Sequence, residues 1–302
     1  MNIQLSLSTK CNIHCTFCLK ESLRKNFGFV ENIDIDFDVV KKILDHEFEN
    51  IYICSNRGEA LLHPQIDDIL SYAKEKRHKI SFSTNAFYKN SDWWKNLGKL
   101  FDKSDSVLFA LDGVGNKTHN MHRGSDFYTV LRNIESFINA GGVTIWKFIK
   151  FEHNQHQVEL ARELAKELGC GFNVMNSHTY NSILKKPTDS KVWTNRNIMV
   201  EEVCSTDYIP CDYKTYYVSA KGILFPCCFL ANIFAHEPIR ERHREKDLVD
   251  LFNKEKELLD IRNNDIDYIL ANSEFFKESL KKRSYLCKEI CLKWTRNQIG
   301  EK

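Results

Sequence analysis

An α/β fold is predicted by three features of this 302-residue sequence. Short β-rich runs alternate with helical stretches up to about residue 175. The runs "VLFAL" and "WKFIKF" are almost continuously apolar, as strands of a parallel sheet covered on both faces are. The texture then changes to a polar, irregular stretch, followed by a hairpin and further helices. A full eight-unit barrel needs roughly 250 residues. The alternation therefore fits a partial (β/α)6 TIM barrel over residues 1–180, a linker over 181–203 and a small α+β domain over 204–302.

Each element has a local reason. The strands are "IQLSLS", "NIYICS", "KISFST", "SVLFALD", "TIWKFIKF" and "GFNVM". Between them lie helical patterns at "IDFDVVKKILDHEF", "PQIDDILSYAKEKR", "FYTVLRNIESFINAGG" and "HQVELARELAKELG". In the last, Val158, Leu160, Ala161, Leu164, Ala165 and Leu168 make an apolar stripe near helical period, ended by Gly169. Such alternation implies parallel strands with right-handed crossovers. "YKTYYVSAKGILFPCC" reads as a hairpin turning at "AKG". "KDLVDLFNKEKELLDI" and "NSEFFKESLKKRSYL" read as helices.

Composition limits the function. Hydrophobic residues make up 42% and aromatics 12%, enough for a packed core. The net charge of +2 with 28% charged residues gives no general electrostatic reason for nucleic-acid or membrane binding. No stretch has the apolar length of a membrane span, and "MNIQLSLSTK" is too short and polar for a signal peptide. A soluble cytoplasmic protein is expected. Eleven cysteines are then the anomaly, because a reducing compartment disfavours disulfides and close spacing favours metal ligation. Cys54 and Cys170 stand alone and read as small buried hydrophobes.

Cys11, Cys15 and Cys18 follow the first strand with spacing C-x3-C-x2-C. Loops at the C-terminal ends of strands carry the chemistry of α/β folds. Three thiolates can hold three irons of a [4Fe–4S] cluster and leave the fourth iron open to a small ligand. Zinc completed by His14 or a distant residue is the competing reading.

The ordered motifs on the strand ends resemble those of the radical S-adenosylmethionine (SAM) superfamily. Phe17 stands before the last cysteine of the loop, as an aromatic usually does in that family. "NRGEALLHP" is similar to G-G-E-P-L-L-H-P, "STNA" to T-N-G, and "ALDG" to S-L-D-G. "THNMHRGSDFYTVLRNI" resembles an H-D-x-x-R-G segment, and "FEHNQHQ" carries a strand-end asparagine, Asn154. The resemblance implies cluster ligation by the three cysteines. It also implies SAM contacts from Phe17, Gly58, Glu59, Ser83, Asn85, Asp112, Arg123 and Asn154. A carboxylate at Glu59 suits the SAM amine, and a guanidinium at Arg123 suits its carboxylate. The departures are Arg57 for the first glycine of G-G-E, Ala60 for its proline, Ala86 for the glycine of T-N-G and Ala110 for the serine of S-L-D-G. Bland readings stand beside these. Glu59 could cap a helix near Pro64, and Arg123 could be a solvated helix residue. His63 would order its turn, and His119 and His122 would be surface residues.

A second group comprises Cys211, Cys227, Cys287 and Cys291, with Gly222 in the hairpin turn. It resembles the auxiliary-cluster extension of radical SAM enzymes, in the short "twitch" form of the SPASM domain. Four thiolates would saturate one auxiliary [4Fe–4S] cluster, with structural zinc as the alternative. Cys204 and Cys228 are left over, and side chains of the adjacent Cys227 and Cys228 would diverge on a strand. The resemblance implies reductive cleavage of SAM to a 5′-deoxyadenosyl radical, hydrogen abstraction from a peptide or small-metabolite carbon, and an external electron donor such as flavodoxin or ferredoxin. Because the chain opens at its first strand, no N-terminal peptide-recognition domain is expected. Glu152, Asn176 and His178 are candidates for substrate binding or proton transfer. The alternative function is a zinc-binding or degenerate SAM-binding interaction protein without radical chemistry.

Overall fold

The computed structural model describes residues 1–177, 180–189 and 215–281. Its strands are β1 (Asn2–Leu5), β2 (Asn50–Ile53), β3 (Ile80–Thr84), β4 (Ser106–Ala110), β5 (Thr144–Lys150), β6 (Gly171–Asn176), β7 (Thr215–Val218) and β8 (Leu224–Phe225). Its helices are α1 (Leu19–Phe27), α2 (Phe37–Leu44), α3 (Ile66–Glu75), α4 (Ser91–Leu100), α5 (Asn116–His119), α6 (Phe127–Asn139), α7 (Val158–Glu167), α8 (Cys228–Phe234), α9 (Glu237–Arg240), α10 (Lys246–Glu255), α11 (Ile266–Asn272) and α12 (Glu274–Lys281). The described residues fall into two compact units. One lies within Met1–Lys10, Val30–Lys79 and Cys204–Lys293, the other within Cys11–Phe29, Ile80–Val203 and Trp294–Lys302.

In the second unit β3, β4, β5 and β6 pair in parallel, with Phe82 opposite Val107, Phe109 opposite Trp146 and Phe148 opposite Val174. One face of β5 is fully buried and the alternate positions are half-buried, so the apolar run marks one dry face and one partly open one. The dry face meets the helices through aromatic rings. Trp94 of α4 lies 4.9 Å from Phe109, and Phe127 of α6 lies 6.2 Å from Trp146. On α7, Val158, Ala161 and Ala165 are buried, while Leu160 is exposed. Residues 181–189, read as the start of a linker, are anchored here: Leu184 is buried and Asp189 pairs with Lys150 at 2.7 Å.

In the first unit β1 lies between β2 and β7, parallel to both, and β8 closes antiparallel on β7. The hairpin turn has Gly222 at φ +75° with its N–H donating to Ser219 O at 2.9 Å, a conformation that glycine adopts without strain. The second hairpin strand is short. Pro226 follows Phe225 and has no N–H to continue the ladder. Cys227 is extended and Cys228 is the first residue of α8. The two cysteines are therefore not neighbours on a strand, as the sequence suggested, but sit across a strand-to-helix corner. Phe225, Phe234, Phe252 and Phe275 form the aromatic core beneath it.

Candidate active site

The three cysteines sit on the loop that leads into α1, all half-buried and none in a disulfide. The segment before α6 fastens that loop. Thr16 N–H donates to His122 O at 2.9 Å, and the Thr16 hydroxyl donates to Met121 O at 3.0 Å. Gly124 lies so close that a Cβ would stand 3.2 Å from His14 N. Arg123 Nη1 lies 3.9 Å from Cys15 Sγ. Burial raises the Cys15 thiol above its ordinary value, and Arg123 opposes that rise. Lys20, buried in the first turn of α1, is a further cation. Burial lowers its pKa, and Cys11 and Cys18 counter this electrostatically.

Asp112 organises this corner from the end of β4. It is completely buried. Oδ2 accepts from Arg123 Nε and from His122 Nδ1, the latter at 2.6 Å, and Oδ1 accepts from Ile149 N–H at 2.6 Å. Burial alone would raise its carboxyl, but Arg123 and His122 hold it well below the usual carboxylate range. Burial works against the Arg123 charge, and Asp112 and Cys15 more than offset it. Asp112 N–H donates to His119 Nδ1 at 3.2 Å, which leaves the proton on Nε2 to donate to Ser125 Oγ at 2.8 Å. His119 and His122 are thus buried network members and not surface residues, because the strand-end carboxylate pulls their polar segment inward. Only His119 and Arg123 fall on defined positions of the motif, and His122 occupies one of its open positions.

The third strand end serves Cys11. Asn85 Nδ2 donates to Asn12 Oδ1 at 3.0 Å and lies 3.9 Å from Cys11 Sγ, while its Oδ1 accepts from Phe87 N–H. Asn12 was not anticipated, although its place beside Cys11 marked it. Ala86 takes φ +53°, where glycine costs least. Thr84 Oγ1 accepts its N–H at 2.9 Å, and Asn133 Nδ2 donates to its carbonyl at 2.8 Å. Ser83 is half-buried on β3. Asn154 is completely buried with its amide engaged by Asp112 O, Ile149 O and Phe151 N–H. It ties the ends of β4 and β5 together. Phe17 faces Phe151 at 6.2 Å, and Phe151 also meets His122 at 5.0 Å.

In the other unit, Gly58 lets two backbone segments touch. A Cβ there would stand 2.2 Å from Ser8 O and 2.8 Å from Lys10 O. Glu59 is buried. Its N–H donates to Lys10 O at 2.7 Å and its Oε1 accepts from Leu61 N–H at 3.2 Å, capping a short 3-10 turn. Lys10 precedes Cys11 in the chain. His63 orders its turn through Ile35 O and Gln65 N–H.

The substrate candidates fare differently. Glu152 reaches Lys185 at 3.3 Å. Asn176 ends β6, half-buried. His178 lies outside the described residues, as do Cys204, Cys211, Cys287 and Cys291. Cys227 and Cys228 are half-buried. Among the described residues, no three His, Cys, Asp or Glu side chains lie close enough to share a single metal ion. No described helix is long and apolar enough to cross a membrane.

Comparison with known proteins agrees with this geometry. A model of the radical SAM superfamily matches residues 5–170. The chain is 25% identical over 174 residues to the antilisterial bacteriocin subtilosin biosynthesis protein AlbA of Bacillus subtilis, covering 56% of this chain and 38% of AlbA. It is 27% identical over 176 residues to a probable GTP 3′,8-cyclase of Methanococcus maripaludis, covering 58% of each. The chain thus spans between about a third and three fifths of the length of these curated relatives. In fold it is similar to Streptococcus suis SuiB bound to S-adenosylmethionine, with TM-score 0.59, 15% identity and coverage of 83% of this chain and 65% of SuiB. It is also similar to native anSMEcpe with bound AdoMet, with TM-score 0.60, 14% identity and coverage of 98% and 90%. With a family model matched across more than half its length, this chain belongs to the radical SAM superfamily.

Proposed function

We propose that this chain reductively cleaves SAM and abstracts a hydrogen atom from a substrate carbon. The observation that carries this reading is the cysteine loop itself: three half-buried thiols held by the His119–Ser125 segment, with Arg123 beside Cys15 and Asn85 beside Cys11. The donor set fits an iron–sulfur cluster. Soft thiolates suit iron, and in a cluster each binds a different iron. Cys11, Cys15 and Cys18 would hold the cluster. Gly58, Glu59, Ser83, Asn85, Arg123, Asn154 and Phe17 would form the SAM surroundings, with Asp112 and Asn154 acting by orienting their neighbours. When bound, the cluster and SAM supply a one-electron reduction and a carbon radical. The chain's own part is to hold cation, carboxylate and aromatic groups around that chemistry and to exclude water. The buried Asp112 network keeps Arg123 charged and aimed at the loop.

A peptide is the first substrate to try. One neighbour in fold was solved as SuiB bound to precursor peptide SuiA, and another as native anSMEcpe with AdoMet and the Kp18Cys peptide. A nucleotide is the second, given the similarity to the GTP cyclases. Cys227, with Cys211, Cys287 and Cys291, would hold an auxiliary [4Fe–4S] cluster in a twitch-type segment within 204–302, making about eight irons per chain. Flavodoxin or ferredoxin would deliver the electron in the cytoplasm.

The test is anaerobic reconstitution followed by incubation with SAM and dithionite. The protein should form 5′-deoxyadenosine, and a C11A/C15A/C18A variant should not. Equal product from both, or zinc without acid-labile sulfide after anaerobic purification, would sink the reading.

A further inference from the structure

Arg57 stands where the family motif has glycine, one residue before Gly58. Its side chain has a definite destination. The guanidinium donates to the carbonyl of Asn232, in the last turn of α8, where carbonyls lack helical partners. The neighbouring Asn56 grips the same helix at both ends. Its Nδ2 donates to Cys228 O at 3.2 Å and to Asn232 Oδ1 at 3.0 Å. Gln4 of β1 holds Asn56 in turn, donating to Asn56 Oδ1 at 3.2 Å and to Cys54 O at 2.9 Å. All of these residues belong to one compact unit. Arg57 is half-buried and burial lowers its pKa, and a hydrogen bond from a charged donor in such a position is strong.

We propose that Asn56 and Arg57 are positioning residues that fasten the Cys227–Cys228 corner to the end of β2, so that the cysteine pair and the Gly58–Glu59 turn are held as one piece. This rests on the reading of Cys227 as a ligand of an auxiliary cluster. The exchange of glycine for arginine at 57 is then a gain of attachment.

The experiment uses the full chain with C11A/C15A/C18A, so that only a second site can hold iron. In metal-free protein, N56A/R57G should speed iodoacetamide labelling of Cys227 and Cys228 at least ten-fold, read by mass spectrometry, with Cys170 unchanged as internal control. R57K, which keeps a donor, should restore most of the protection. After reconstitution, the double variant should lose at least half the second-site iron and shift the electron paramagnetic resonance signal of what remains. Unchanged labelling overturns the proposal, as does equal acceleration at Cys170, which reports general loosening. If the Asn56–Arg57 protein in this background binds no iron yet N56A/R57G still accelerates labelling, the clamp stands and the auxiliary cluster falls.

Discussion

The two cysteine-bearing corners are held by different physics. Around Cys15 the fastening is ionic: a fully buried carboxylate faces a guanidinium and an imidazole. Around Cys228 it is mostly neutral: amide to amide and amide to carbonyl, with one guanidinium that meets a carbonyl. An ionic knot is fragile to loss of any member, because what remains is a buried unpaired charge. A ladder of neutral hydrogen bonds fails by smaller steps. The first corner should therefore respond sharply to mutation and pH, and the second only gradually.

The widest expected gap comes from D112A. It strands Arg123 and His122 and should cost about 3–5 kcal/mol in denaturant titrations of the apo protein. A loss below about 1 kcal/mol would mean that the buried network relaxes without strain. Next is pH. Burial pushes His119 down to about 4 from its ordinary 6.5, with Asp112 opposing. Its stabilising share is fully present above about pH 6.5. It is lost as pH falls toward 4, because the unfolded chain takes up a proton that the folded one refuses. A drop of that size is worth about 3 kcal/mol. H119Q should flatten the stability curve across that window, and an unchanged slope would assign the proton elsewhere. N56A, which removes only neutral bonds, should cost about 1–2 kcal/mol by the same titration; a cost equal to that of D112A would erase the contrast. The smallest effect is a gain. A86G should relieve the left-handed backbone at residue 86 and stabilise by about 1 kcal/mol.

Much of this was legible because strands covered on at least one face must be apolar, and the six runs of the core mark themselves. The parallel seat of β7 beside β1 was not, since pairing across some two hundred residues leaves no trace in local periodicity. Helix α8 hid because "CFLANIF" continues the apolar texture of the hairpin before it. The site motifs were readable as residue types but not as contacts. His119 and His122 look solvent-facing in a polar segment until Asp112 arrives from another strand. Asn154 reads as a strand-end asparagine, and only the fold shows its amide bonded to the backbone of residues 112, 149 and 151. Arg57 read as a missing glycine, and only the fold revealed where its side chain goes.

The backbone contact at Gly58 sets an asymmetry in how this region can change over generations. Residues 8–10 meet it through main-chain atoms, so that contact does not constrain their side chains. Position 58 has no such freedom, since even a methyl group would overlap the opposing carbonyls. A library of variants selected for folding should be nearly empty at Gly58, and at Thr9 it should keep residues whose hydroxyl can accept from Ile33 N–H, as Thr9 does at 2.7 Å. Position 58 is fixed by the side chain it lacks, and positions 8–10 by bonds their side chains make elsewhere, to Glu31, Ile33 and Asp34.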